Sequence, residues 1–215
     1  MKYSKNSLSR FVPILLVIVI TIVAVAAVIA IGRSILGGGS SSNTTDDTVV
    51  TDEGRVALLT TDISRSIRLT VRGPIVANEN FRSYQITISP ESREITTFRG
   101  YLDEVIDTKK FDNNNRAYEE LVHALDKRRM MDGRVLTEEQ NDLRGICASG
   151  QIYQFDTLVN GETVRSLWTS DCDGSKGSAT ANVSEVIDMF LKQIPEGRKI
   201  VSGVGLGRDE TFFRL

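Results

Sequence analysis

Apolar positions open this chain as one uncharged run, Phe11 to Ile31, and only afterwards take on the shorter periods of a folded domain. Its 21 residues make a helix of roughly 30 Å, the hydrocarbon thickness of a bilayer. The run therefore predicts a single membrane span over residues 11–32, preceded by a short cytoplasmic end, 1–10. Lys2, Lys5 and Arg10 precede it and only Arg33 closely follows, so the positive flank is expected inside and the bulk of the chain outside. A cleaved signal peptide is the competing reading, because Ala24-Val25-Ala26 has the small-x-small form of a cleavage site. Five further apolar residues follow that site, which favours an uncleaved anchor.

Gly37 to Glu53 is small, polar and without an apolar period, so residues 33–54 are expected as a flexible linker with a reach of about 20 to 25 Å. From there the pattern predicts an α+β domain over 55–195. Val56, Leu59 and Ile63 have helical spacing within Arg55 to Ser64. Ile67, Leu69 and Val71 then alternate with Arg68, Thr70 and Arg72, and Tyr84, Ile86 and Ile88 alternate in the same way, the period of strands with one buried face. Gly73-Pro74 ends the first, and the turn Ser89-Pro90-Glu91-Ser92 leads into a third strand, Glu94 to Gly100.

Asn115 to Arg129 carries Tyr118, Leu121, Val122 and Leu125 on one stripe, with asparagine cap candidates before it and Lys127, Arg128 and Arg129 at the carboxyl end, where the helix dipole favours cations. Thr137 and Gln140 are spaced as a capping box for a short helix to Leu143. Asn160-Gly161 marks a two-residue hairpin turn, since both central positions need positive φ. Pairing Val159 with Glu162 sets Tyr153 against Trp168, Asp156 against Arg165 and Thr157 against Val164. The same register brings Cys147 within two positions of Cys172. A last amphipathic helix, Val183 to Ile194, stops at Pro195, and a tail, 196–215, is expected to hold one more strand at Lys199 to Val204. The expected fold is an antiparallel sheet with helices packed on one face, behind a single N-terminal transmembrane helix.

Composition adds limits rather than a chemistry. The chain is 25% charged and 40% hydrophobic with a net charge of -2. Residues 1–48 balance at +2, which leaves -4 on the remainder and argues against a nucleic-acid partner. Beyond the membrane oxidation is permitted, so Cys147 and Cys172 are expected to form a disulfide closing a loop of about 25 residues.

Catalytic residues are scarce. His123 is the only histidine and reads as a packing or surface residue of its helix; no zinc site and no cofactor is expected. The sharpest enzymatic alternative is a sortase-like cysteine transpeptidase, which would use Cys172, with Thr169 upstream. The threonine is misplaced, no arginine follows closely, and Cys147 would quench the thiol. Asp171, Asp173 and Ser175 could supply calcium ligands, but Lys176 stands where an EF-hand loop needs glycine. Gly203-Val204-Gly205-Leu206-Gly207 lacks the helix and lysine of a phosphate loop and reads as a mobile tail. A pilin-like subunit would need a glutamate near the start of the apolar run. Tyr153 and Trp168 are the candidates for a binding face, against the simpler reading that both are core.

Arg68 to Ala77 (RLTVRGPIVA), Phe81-Arg82-Ser83-Tyr84, Gly145-Ile146-Cys147-Ala148 and Leu167-Trp168-Thr169-Ser170 are similar to an uncharacterised family of single-pass membrane proteins of reduced-genome candidate-phylum bacteria of the Saccharibacteria type. That resemblance implies a bacterial envelope setting and an exported domain with a disulfide, and it supplies no catalytic residues. The expected role is binding or structural support at the cell surface. The partners would be the lipid bilayer, through the N-terminal helix, and an envelope or surface protein or glycan.

Overall fold

The structure, a computed structural model, describes residues 51–207 apart from Ser175. The apolar run, the residues before it and the linker up to position 50 lie outside the described residues. Among those described, no helix is long and apolar enough to cross a membrane.

Ten elements follow one another: α1 (Thr51–Leu59), β1 (Arg65–Arg72), β2 (Arg82–Ile88), β3 (Ser92–Arg99), β4 (Glu104–Asp112), α2 (Asn115–Lys127), β5 (Ile152–Val159), β6 (Glu162–Ser170), α3 (Val183–Gln193) and α4 (Gly197–Gly203). The strands form a single antiparallel sheet in the order β4-β3-β2-β1-β5-β6. The chain thus enters at a central strand, steps outward to one edge through β4, and crosses by α2 to build the other side with β5 and β6.

Alternation decides which face is covered. Ile67, Leu69 and Val71 of β1 are fully buried and stand beside Tyr84, Ile86 and Ile88 of β2 and Tyr153 and Phe155 of β5. The apolar stripes of α2 (Tyr118, Leu121, Val122, Leu125) and α3 (Val186, Ile187, Phe190, Leu191) close on that face in the same core cluster, joined by Leu58 of α1 and Val201 of α4. This is the α+β arrangement expected, with the helices on one face. The caps follow the sequence too: the Asn114 carboxamide accepts the Ala117 N–H at 3.0 Å, and Asn182 accepts that of Glu185 at 3.4 Å.

Four expectations are corrected. First, α1 begins at Thr51, inside the stretch assigned to the linker. Second, β4 was not foreseen, because Glu104 to Lys110 is exposed throughout and so has no buried alternation to read. Third, Lys199 to Val204 is not a strand: Lys199 to Gly203 lie in α4 and Val204 is its C-cap. Glu196 takes a left-handed conformation (φ 57°) and turns the chain so that Val201 points into the core. The glycine-rich stretch after it is folded as well. Gly205 is left-handed at φ 77° and the Leu206 N–H reaches back to Val201 C=O at 3.0 Å, a helix stop that buries Leu206. Fourth, Thr137 and Gln140 do exchange the two capping-box bonds, at 3.2 and 3.3 Å, yet only turns follow. Asp142 takes the Arg144 N–H at 3.0 Å and Gly145 goes left-handed (φ 73°), so no helix is propagated.

Candidate functional site

The hairpin of β5 and β6 positions the only cysteines. Its turn is as expected, with Asn160 at φ 52° and Gly161 at φ 84°, and Val159 pairs with Glu162. After the next pair, Leu158 with Thr163, the register shifts. A bulge next to Thr157/Leu158 leaves Val164 without an opposite residue, so Thr157 faces Arg165, Asp156 faces Ser166, Gln154 faces Trp168 and Tyr153 faces Thr169. The aromatic pair Tyr153–Trp168 and the ion pair Asp156–Arg165 are therefore not formed. Asp156 instead meets Arg68 of β1 (Nε to Oδ2, 2.9 Å).

A one-residue shift also sends Tyr153 and Trp168 to opposite faces of the sheet. Tyr153 (3% exposed) belongs to the main core, whereas Trp168 (5%) belongs to a second, smaller cluster with Cys147 and Ile152. They do not form one exposed binding face. Leu136, Leu143, Ile146 and Cys172 complete the smaller cluster, which roofs the disulfide. Trp168 is fixed by three bonds: its indole N–H donates to Asn141 Oδ1 (3.0 Å), its main-chain N–H to Ser178 Oγ (3.0 Å), and its carbonyl accepts the Ala179 N–H (2.9 Å).

Cys147 and Cys172 are bonded as expected, with Cα atoms 5.6 Å apart, and no free cysteine remains. Beside them lies an open cleft of about 670 Å³ walled by residues 145–150 and 171–173. Asp171 organises it. One carboxylate oxygen accepts the Gln151 N–H at 2.6 Å and the other the Tyr153 hydroxyl at 3.2 Å. Cys147 Sγ lies 3.6 Å from Oδ1; a disulfide sulfur has no proton, so this is a contact and not a donated bond. The carboxylate sits this close because position 150 is glycine: a Cβ there would stand 2.0 Å from Asp171 Oδ1.

Among the described residues, nothing lining this cleft is arranged as a nucleophile with a base. The cysteines are paired, the Asp171 oxygens are engaged, and His123 lies exposed on α2 and is not among the lining residues. Cys147, Asp171 and Cys172 bring potential metal-ligand atoms within 4.8 Å of one another, but the disulfide takes both thiolates. A smaller hollow of about 310 Å³ adjoins it, floored by Leu136, Ile146 and Trp168 and edged by Arg134, Gln140 and Lys176. Arg134 is held there by donating to Gly177 C=O at 2.7 Å. On the same loop the Arg144 guanidinium bonds the Asp142 carboxylate and lowers its pKa to about 2.

The hairpin base was legible in the sequence, whereas Asp171, Gly150 and the small second core were not. Their contacts join loops that carry no period. A glycine two positions before a strand was the only available signal. No family model, no curated protein and no solved structure matches the chain.

Proposed function

We infer that the chain is a membrane-anchored module of a bacterial envelope, whose domain lies outside the membrane and acts by binding or structural support at the cell surface. The observation that carries this reading is the pairing of the only two cysteines, Cys147 and Cys172. Such a bond persists where oxidation is permitted and is rare where thiols are kept reduced. It agrees with the run Phe11 to Ile31 and with the excess of cations before it. The rest of the hairpin base supports a binding body, since Asp171, Gly150 and Trp168 are used to hold loops in place. The bilayer is the first partner in this reading, and a surface protein or glycan the second.

Labelling of intact cells tests it. A membrane-impermeant maleimide should leave the chain unlabelled until an impermeant reductant is added, and external protease should digest the domain. A Cys172 that reacts without reduction would overturn the structural bridge and favour a thiol enzyme. A domain protected from protease until the cells are opened would overturn the orientation.

A further inference from the structure

The disulfide is not sealed inside the small core. Both cysteines border the open cleft of about 670 Å³, but unequally. Cys147 is 2% exposed, and Gly150 abuts its sulfur: a Cβ at position 150 would stand 3.0 Å from Sγ. Cys172 is only half-buried, so it is the sulfur that a reagent entering the cleft meets first.

The charges in the cleft have one sign. Asp171 and Asp173 line it, and no cation is among its lining residues. Arg144, which precedes the wall in the chain, is bonded to Asp142, and Lys176 edges the adjoining hollow. One Asp171 carboxylate oxygen lies 3.6 Å from Cys147 Sγ, and the carboxylate comes within 4.8 Å of both sulfurs. The Gln151 N–H and the Tyr153 hydroxyl hold it there. A disulfide is opened by a thiolate, which brings one negative charge in on the attacking sulfur and sends it out on the leaving one. Asp171 stands beside both ends of that path.

We infer that Asp171 guards the bridge by charge and makes the cleft discriminate among small thiols. The step guarded is a displacement. The thiolate sulfur of a small thiol bonds to Cys172 Sγ, the Cys147–Cys172 bond breaks, and its electron pair leaves on Cys147 Sγ. A second thiolate then attacks the mixed disulfide and releases Cys172, so that two small thiols are oxidised to their disulfide and the protein's bond is reduced. A thiol with a further negative group is repelled at both charges, whereas an ammonium group offsets the repulsion felt by the sulfur. The inference rests on the bond and its surroundings and not on the membrane reading.

Reduction of the full chain in nonionic detergent micelles tests this, with cysteamine, 2-mercaptoethanol and 3-mercaptopropionate in excess. Each rate is divided by that for an uncharged linear peptide disulfide, so that the reactivity of the thiol itself cancels. The normalised rate should fall in that order, with 3-mercaptopropionate about tenfold slower than cysteamine. Asp171→Asn keeps an acceptor for the Gln151 N–H and should narrow the ratio to about threefold. Adding Ser149→Asp, at an exposed position of the same wall, should widen it again, which an unfolded chain could not do. Alkylation during the reaction should find the small thiol on Cys172 and the alkyl group on Cys147, read by mass spectrometry. Equal normalised rates for the three thiols, a ratio that Asp171→Asn leaves unchanged, a ratio that Ser149→Asp does not widen, or the small thiol on Cys147 would each overturn the inference.

Discussion

Arg68 and Asp156 form an ion pair, Nε to Oδ2 at 2.9 Å, on the face of the sheet that carries no helix. Asp156 is nevertheless wholly buried, while the Arg68 side chain remains 23% exposed. Gln154 donates to the other carboxylate oxygen at 3.1 Å, and Arg68 reaches Thr163 Oγ1 at 2.9 Å. The two partners are thus unequal. Arg68→Ala strands a buried carboxylate and should destabilise by about 3 kcal/mol. Asp156→Asn leaves an arginine that can reach water and should cost about half as much. Urea unfolding of both variants measures the asymmetry; equal losses would contradict it.

Gly150 and Asp171 are coupled by space. Gly150→Ala places a methyl group where Asp171 Oδ1 stands and releases the bonds from Gln151 N–H and Tyr153 hydroxyl, a loss of about 2 kcal/mol. In an Asp171→Ala background the same methyl has room. A double-mutant cycle should therefore show strong non-additivity, and additive losses would mean that the close approach does not matter.

The disulfide joins positions 25 residues apart. Replacing both cysteines with serine should lower stability by about 3 kcal/mol in the chain-entropy account. Reduction of the unaltered chain should give a similar shift in denaturant midpoint. A midpoint unmoved by reduction would remove the bridge from the forces holding the hairpin base.

Tyr118 carries a buried hydroxyl with no hydrogen-bond partner among the described residues, and burial raises its pKa. Below about pH 10 the phenol is neutral in both folded and unfolded chains and contributes no pH dependence. Above that value the unfolded phenol ionises while the folded one stays neutral, so stability falls as pH rises, by about 1.4 kcal/mol per pH unit. Tyr118→Phe should lose this slope and, at neutral pH, match or exceed the parent by up to about 1 kcal/mol. Parallel unfolding curves at pH 8 and 11 decide it; identical alkaline losses in the two proteins would assign the effect elsewhere.

The parts of the fold that the sequence makes legible are those that bury one face. Ile67-Leu69-Val71 and the Tyr118 to Leu125 stripe repeat at the strand and helix periods because a core selects every second residue, or every third and fourth. β4 is exposed from Glu104 to Lys110 and only Phe111 near its end packs against the core, so no period appears along it. The β6 register turned on Val164: one residue looping out, 52% exposed, reversed the faces of Tyr153 and Trp168 with no local trace in composition. At the site, Asn160-Gly161 announced the turn and with it the meeting of Cys147 and Cys172, since positive φ is a local demand. Asp171 against Gly150, and Trp168 against Leu136 and Ile146, arise where separate loops meet, and local pattern does not encode such meetings.

The strand order also fixes how the domain resists a pull. Tension arriving along the chain from residue 51 meets α1 first, where Leu58 is buried and Arg55 is paired to Asp126 at 2.7 Å, and then β1. β1 is the inner strand between β2 and β5, with six register pairs on one side and eight on the other. Drawn along its own axis, it loads both ladders in shear, and neither can be peeled open pair by pair. A sheet whose first strand lay at a rim would unzip under the same load; here the strand that first takes the load from residue 51 is also the mechanical clamp.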